Sequence, residues 1–256
     1  MLSFDTEEFD LPREQGRIIP WQETIRVSED GTNKILDILR EEGVTATFFC
    51  TTTLLYHAPK LAERIIHEGH EIASHGCDHA NPQPKHVIES KRMLEMRYGI
   101  KIHGYRQPRM CDVDNKILKH EGYSYNSSLN PTFIPGRYLH LNASRLPFMT
   151  DGILQIPVSV TPLFRIPLFW LSAHHLPKWM YETLVKRTIQ HDGYFITYFH
   201  PWEFMEIQHI SEYGIPYLIG HNSGNEMQKR LQHLILTLKK ENAKFITFEL
   251  FSKQFI

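Results

Sequence analysis

The chain has few cysteines, almost no net charge and no long apolar run, and each of these absences excludes a class of protein. Its three cysteines, Cys50, Cys77 and Cys111, are odd in number and lack framework spacing, which excludes a disulfide-stapled scaffold. The formal net charge of −1 gives no electrostatic reason to expect nucleic acid or an anionic membrane as a partner. We therefore expect no nucleic-acid partner.

No segment of the sequence is long and apolar enough to predict a membrane span. The apolar stretch PLFRIPLFWL is interrupted by Arg165 and by two prolines. The N-terminus, MLSFDTEEFD, lacks the basic region and apolar run of a signal peptide, which favours a cytoplasmic protein; a removed leader is the alternative. With 41% hydrophobic and 22% charged residues, the 256-residue chain resembles an ordinary globular enzyme. We predict a single domain over residues 1–256.

The stretch EGHEIASHGCDH carries the clearest chemical signal. It reads as a strand over 71–74 that runs into a turn with His75 and His79 at its two sides. Gly76 and Asp78 argue against a helix, and no glutamate follows His75 as a zinc-protease helix would require. Two imidazoles at this spacing on a loop suit a divalent transition metal. Cys77, between them, is a less favoured thiolate ligand.

Hydrophobic periodicity alternates between short buried strands and amphipathic helices. This alternation predicts parallel strands joined by right-handed crossovers, closed most naturally into a (β/α) barrel, with a doubly wound sheet as the alternative. Residues 8–23 and 126–152 show no period and are expected to be loops that face the substrate. We predict strands over 2–4, 44–49, 71–74, 101–106, 123–125, 153–160, 194–199 and 244–250, and helices over 24–42, 59–68, 84–98, about 112–121, 177–191 and about 224–241.

Polar residues stand directly after several of these strands, and in a parallel barrel such strand ends meet on one face. Glu7, His75 and His79 form a two-histidine, one-carboxylate metal site with open positions. Asp5 can then take a proton from water, and His200 can protonate a leaving group. Arg106 can hold Asp5 by a bidentate hydrogen bond. These are the components of metal-assisted amide or ester hydrolysis.

At this point the sequence resembles the polysaccharide deacetylases, a family with a NodB-type domain. The resemblance depends on SFDTEE, GVTATFF, EGHEIASHGCDH, GYRQP and YFHPWEF, which follow the family's order between residues 2 and 204. The HPWE sequence is similar to that of a bacterial branch associated with surface-polysaccharide synthesis.

The resemblance implies a distorted (β/α)7 barrel and removal of N-acetyl groups from amino sugars of a glycan or its lipid-linked precursor. It also implies a divalent metal, zinc first, with cobalt, nickel or manganese as alternatives. Asp5 matches the family's general base, Arg106 the arginine that orients it, and His200 the general acid. The backbone N–H of Arg109 falls where the family forms part of its oxyanion hole.

The chain departs from the family pattern at several positions. Thr6 occupies the place of a second, metal-binding aspartate, so we favour Glu7 as the ligand over Glu8. Arg109-Met110 replaces the usual Tyr-Gly. No Asp-x-x-Asp-Trp motif lies between Arg106 and His200, which leaves Asp151 and Glu203 as candidates for orienting His200.

The substrate side is expected to include Arg109, Trp202 and Glu203, with a packing role equally open for Trp202. His174 and His175 are interpreted as surface or helix-face histidines. Two other functions stay open on the same sequence: a deformylase or allantoinase-like amide hydrolase, and a catalytically inactive glycan-binding relative.

Overall fold

A computed structural model describes residues 1–255, which form ten β-strands and eleven α-helices. The strands are β1 (Leu2–Thr6), β2 (Thr47–Cys50), β3 (Glu71–Ser74), β4 (Gly104–Tyr105), β5 (Tyr125–Asn126), β6 (Phe133–Ile134), β7 (Tyr138–Leu139), β8 (Phe148–Thr150), β9 (Ile153–Gln155) and β10 (Thr197–Phe199).

The helices surround the sheet. They are α1 (Leu11–Glu14), α2 (Trp21–Glu41), α3 (Thr52–His57), α4 (Pro59–His67), α5 (His86–Tyr98), α6 (Asn115–His120), α7 (Trp170–His175), α8 (Lys178–Asp192), α9 (Tyr217–Gly220), α10 (Asn225–Lys240) and α11 (Phe248–Ser252). Within residues 1–255, none of these helices has both the length and the apolar character needed to cross a bilayer.

Seven parallel strands make up the central sheet, in the order β10-β1-β2-β3-β4-β5-β9, with β8 added antiparallel at the edge. Past β9, the backbone N–H of Ser159 donates to the carbonyl of Ile196 at 3.0 Å, just before β10. The two ends of the sheet are therefore brought together as in a barrel. The predicted distorted (β/α)7 barrel is confirmed.

Alternate residues of the strands fill the two faces of the sheet. Phe4 and Phe48 pack towards the helices with ring centroids 5.1 Å apart. On the enclosed face, Phe49 contacts Phe248 of α11 edge-on at 5.4 Å, and Tyr125 lies 5.8 Å from the same ring. Fully buried aromatic rings thus hold the strands in a fixed register, from which the site residues project.

The predicted closing strand over 244–250 is wrong. The chain there is irregular and then forms α11, whose first turn is capped by the Thr247 hydroxyl, which accepts from the N–H of Leu250 at 3.2 Å. The N–H of Phe248 donates to the Thr47 hydroxyl at 3.0 Å, so its ring closes the bottom of the sheet without strand pairing. The two segments expected as loops also contain regular structure: α1 and the start of α2 lie in 8–23, and β6, β7 and β8 lie in 126–152.

Gly31 lets α2 approach the turn that follows β10. A Cβ at this position would lie 2.1 Å from the carbonyl oxygen of Pro201, closer than any real contact. Helix α2 consequently supports the 3-10 turn Pro201–Phe204 directly, and this turn begins at His200. This packing thereby fixes the backbone that carries His200.

Candidate active site

The carboxyl ends of the parallel strands open into a cavity of about 280 Å³. Seven of the residues expected at the site line it: Asp5, Glu7, His75, His79, Arg109, His200 and Trp202. The cavity lies at the small end of the range for ligand pockets.

Glu7, His75 and His79 offer three donor atoms to one point. The Oε2 atom of Glu7 lies 3.0 Å from Nε2 of His75 and 3.2 Å from Nε2 of His79, and all three residues are buried. The Nδ1 atom of His75 donates to the carbonyl of Arg106 at 2.8 Å, and Nδ1 of His79 lies 2.9 Å from Asp10. These outer bonds fix both rings with Nε2 directed at Glu7, as in metal sites.

The hydrogen-bonding pattern shows that the three residues fit a cation. Both nitrogens of each imidazole face an acceptor oxygen, yet a neutral imidazole carries a single N–H. A cation between the two Nε2 atoms and Glu7 would supply the missing positive charge. Burial alone would lower the pKa of His79, but the charges of Glu7 and Asp10 raise it to about 9, which shows that this pocket favours a positive charge. Two imidazoles and one carboxylate are the ligands that zinc prefers.

Glu8 and Thr6 point away from this cluster. Burial raises the pKa of Glu8 to about 7, and its Oε2 accepts a hydrogen bond from the Thr51 hydroxyl at 3.1 Å. Thr6 is fully buried, with its hydroxyl directed at the carbonyl of Phe4. The geometry therefore gathers Glu7 with the histidines and leaves Glu8 outside. Cys77 does not line the cavity either.

Arg106 holds Asp5 at the base of the cavity. Its Nη1 atom donates to Oδ1 of Asp5 at 2.5 Å and to the Ser3 hydroxyl at 3.0 Å, while Nε and Nη2 bond to Ser127. The guanidinium is fully buried and lies over the Phe49 ring. Burial raises the pKa of Asp5, but the charges of Arg106, His75 and His200, together with the Arg106 hydrogen bond, outweigh burial and keep the pKa below its usual value. Asp5 is thus a fixed carboxylate.

His200 is held by Glu203, one of the two candidates that the sequence left open. Oε1 of Glu203 accepts from the backbone N–H of His200 at 2.6 Å and lies 2.8 Å from its Nδ1. Burial alone would lower the pKa of His200, but the Glu203 bond and nearby carboxylates raise it above its ordinary value. A raised pKa suits a residue that donates a proton near neutrality.

Glu203 lies behind His200 rather than on the cavity wall. It is fully buried and does not line the cavity, so its position suits orientation of His200 and disagrees with the expected contact to substrate. The other candidate, Asp151, is an exposed turn residue with φ of 50° and does not reach the site.

His174 is a functional neighbour that the sequence analysis missed, since it was interpreted as a surface histidine. It is fully buried: Nε2 lies 2.9 Å from Oε2 of Glu203, and Nδ1 lies 2.6 Å from the carbonyl of His221. Asp10 was missed too. No spacing rule links either residue to its partner, although Asp10 belongs to the acidic run that ends β1.

Aromatic rings form one wall of the cavity. Trp202 stacks on the His200 ring with centroids 5.3 Å apart, and Trp170 meets the same ring edge-on at 5.7 Å. Tyr138, Phe169 and Tyr198 extend this wall. Such rings suit the apolar faces of a sugar. Trp202 is buried and also lines the cavity. Its contact with a substrate stays a prediction.

Arg109 forms the opposite edge and has an unusual backbone. Its φ is 60° and that of Met110 is 53°, so both residues adopt the left-handed conformation that glycine favours. The Arg109 side chain lies 2.8 Å from Glu14 and 3.5 Å from Asp10, which ties α1 to the cavity edge.

Comparison with known proteins agrees with this geometry. Residues 19–131 match the family model described as polysaccharide deacetylase. Over this segment, which is a little under half of the chain, the sequence is similar to the polysaccharide deacetylase family. A chitooligosaccharide deacetylase of Bradyrhizobium sp. (strain ANU 289) is 33% identical over 76 residues, which cover 28% of this chain and 35% of the relative.

Solved structures of low sequence identity share the fold. A crystal structure described as a polysaccharide deacetylase from Mycobacterium smegmatis superposes with a TM-score of 0.66 at 17% identity, covering 99% of this chain and 89% of that one. A structure described as Puue allantoinase gives 0.65 at 14% identity, covering 98% and 88%. The matched segments span only about a quarter to a third of the curated relatives' length, so this chain's own activity is a proposal.

Proposed function

We propose that the chain is a metal-dependent hydrolase that removes N-acetyl groups from amino sugars of a polysaccharide or of its lipid-linked precursor. One observation carries the proposal: Asp5 and His200 line the same cavity as the cluster of Glu7, His75 and His79. A base, an acid and a set of metal donors therefore surround one small volume.

Glu7, His75 and His79 are the residues that would hold a divalent ion, most simply zinc, with cobalt, nickel or manganese as alternatives. When bound, such an ion polarises the acetamide carbonyl and makes water more acidic. Asp10 and the carbonyl of Arg106 keep the two imidazoles in the orientation that this role requires.

The protein's own groups then move two protons. Asp5, kept ionised by Arg106, accepts a proton from the attacking water as the new C–O bond forms. The backbone N–H of Arg109 faces the developing oxyanion. His200, oriented by Glu203, gives a proton to the amine nitrogen as the C–N bond breaks. Acetate and a free amino sugar leave.

The sharpest test replaces Asp5 with asparagine. Asp5→Asn keeps the shape of the side chain and its contact with Arg106 but removes the proton acceptor. We expect acetate release from a soluble N-acetylated chito-oligosaccharide to fall by about 10²–10⁴-fold, the usual contribution of a general base. Metal content, measured by elemental analysis, should stay near that of the parent.

Asp112→Asn is the matched control, because Asp112 is exposed and outside the cavity. It should leave both acetate release and metal content unchanged. Acetate release that survives Asp5→Asn would show that the base is assigned to the wrong residue.

Two alternatives are separated by simple measurements. Formate release, or opening of a cyclic amide, in place of acetate release would identify a deformylase or an allantoinase-like enzyme on the same site. Lack of stoichiometric metal after reconstitution, together with glycan binding, would favour an inactive relative. A cytoplasmic location stays a prediction from the sequence.

A further inference from the structure

Exposed apolar side chains cluster beside the cavity mouth on two segments that the proposed reaction does not use. Phe133 and Leu139 are directly opposite each other in the β6–β7 hairpin and are 48% and 76% exposed. Leu163 and Phe164 form the tip of the turn between Val160 and Pro167 and are 79% and 77% exposed. Side chains of this size are usually at least half covered.

Hydrogen bonds join the two segments into one surface. The Thr132 hydroxyl donates to the carbonyl of Arg165 at 2.7 Å, and Nη1 of Arg165 donates to the carbonyls of Pro131 at 3.2 Å and Ala143 at 2.8 Å. The tip of the turn is thereby fixed against the base of the hairpin. We call this surface the apolar rim; it consists of Phe133, Leu139, Leu141, Leu163 and Phe164.

The apolar rim borders the cavity. The same hairpin contributes Ile134, Arg137 and Tyr138 to the cavity lining, so the rim and the opening are adjacent. Phe133 and Leu139 alternate with Ile134 and Tyr138 and lie on the other face of the hairpin. A partner on the rim would lie next to whatever enters the site.

The segments that carry the rim contain more basic than acidic side chains. Residues 127–177 contain three arginines, Arg137, Arg145 and Arg165, and a single acid, Asp151. Within residues 1–255, Arg145 pairs with Asp192, whereas Arg137 and Arg165 form no salt bridge. The whole-chain charge of −1 hides this local positive surplus. Apolar tips with nearby arginines match the chemistry of an anionic bilayer surface.

We propose that the apolar rim docks on the surface of an anionic lipid bilayer, with the cavity mouth beside the lipid headgroups. Leu163 and Phe164 would enter the boundary between headgroups and acyl chains, and Arg137 would face the phosphates. The inference rests on the proposed function in one respect: a lipid-linked amino sugar is presented at such a surface. The docking itself requires no catalysis.

Sedimentation with vesicles tests the docking. The protein should pellet with vesicles of mixed phosphatidylcholine and phosphatidylglycerol, and less with phosphatidylcholine alone or at raised salt. The double variant Leu163→Ser/Phe164→Ser should lower the partition coefficient by about tenfold or more, because two large apolar side chains no longer enter the interface. Met96→Ser is the control: Met96 is 84% exposed on α5, outside the rim, and the change should have no effect.

Three outcomes would overturn the docking: a parent protein that does not pellet, a double variant that pellets like the parent, or equal loss in Met96→Ser. A parent dimer that the double variant converts to monomer, without vesicle binding, would assign the rim to a second copy of the chain instead. Circular dichroism establishes that each variant is folded.

Acetate release from a soluble N-acetylated oligosaccharide separates this inference from the proposed function. It should be unchanged in the double variant, because neither residue lines the cavity. Vesicle binding without hydrolysis would count against the proposed function and support the docking. Hydrolysis without vesicle binding would do the reverse.

Discussion

Two adjacent glutamates differ in role because side chains alternate along an extended strand. Asp5 and Glu7 both reach the cavity, while Glu8 turns back to Thr51. Which of these side chains share a face can be predicted from the sequence as soon as β1 is recognised. Asp10 could not be assigned in this way, because the strand has ended and a turn brings its carboxylate to His79.

His174 shows the limit of sequence reading for single residues. It lies 29 positions before Glu203, on a helix of one and a half turns that has no distinguishing pattern. Its two ring nitrogens contact the carbonyl of His221 and Oε2 of Glu203. This contact holds the Glu203 carboxylate in place, and Glu203 in turn orients His200.

Replacing His174 should make His200 a weaker general acid without changing any residue that lines the cavity. His174→Phe leaves Oε2 of Glu203 without its partner, so we expect kcat/KM for deacetylation to fall roughly 10- to 100-fold, as for other outer-shell partners. His174→Gln, whose amide can still donate to Glu203, should recover part of the loss. Steady-state kinetics on a soluble substrate provides the measurement.

The neighbouring His175 is the control for that pair of variants. It contacts the carbonyl of Leu218 rather than Glu203. His175→Gln should therefore keep kcat/KM near the parent value. Equal losses in the His174 and His175 variants would mean that the helix, and not the bond to Glu203, is responsible.

At the scale of elements, the turn from His200 to Phe204 depends on one ionised carboxylate. Burial raises the pKa of Glu203, but its bonds to His174 and His200 outweigh burial and keep the pKa below its ordinary value. Stability from such a group is complete above the unfolded-state pKa, about 4.3 for glutamate, and is lost as pH falls through the lower folded-state pKa.

Acid unfolding should reveal this dependence. Glu203→Gln should lower the free energy of unfolding by about 2–4 kcal/mol at neutral pH, because a buried, charge-assisted network loses its centre. The difference from the parent should shrink below about pH 4, where the parent carboxylate becomes protonated. Urea unfolding of both proteins at several pH values measures it.

The exposed Glu212 gives the comparison for this experiment. Glu212→Gln should show no pH-dependent difference from the parent. A Glu203→Gln difference that stays constant from neutral to acid pH would contradict an ionised Glu203 in the folded protein.

Elements with strong periodicity were predicted well, and short ones were not. Helix α2 was expected at 24–42 and is Trp21–Glu41, because its buried stripe is long and regular. Residues 244–250 are as apolar as a typical buried strand, but the Thr247 side chain caps a helix there. Thr247 followed by Glu249 was a readable helix-start signal. The β6–β7 hairpin has only two residues per strand, too few for any period to appear.

At the scale of the whole molecule, parallel topology turns distant sequence positions into neighbours. Asp5 and Arg106 are 101 positions apart and share a hydrogen bond, since the ends of β1 and β4 face the same side. The barrel rule predicts this convergence without coordinates. It cannot predict partners behind the strand ends, such as Glu203 and His174, because their distances depend on how α7 and the 200–204 turn pack. That residues 1–256 form one catalytic domain stays a prediction.

Metal binding should also stabilise the whole fold, because the metal cluster connects the end of β1 to the loop after β3. An ion bound only by the folded chain stabilises it by mass action, about 2.7 kcal/mol at a hundredfold excess over Kd. For a chain of this size we expect zinc to raise Tm by roughly 5–10 °C in differential scanning fluorimetry.

Glu7→Gln should abolish most of this shift. Glu8→Gln should retain the zinc-induced shift, because Glu8 faces Thr51 and not the metal cluster. Burial raises the pKa of Glu8 to about 7, so the glutamine amide resembles the protonated form of this side chain. The same shift in both variants would mean that zinc binds elsewhere, and a shift lost only in Glu8→Gln would exchange the roles of the two glutamates.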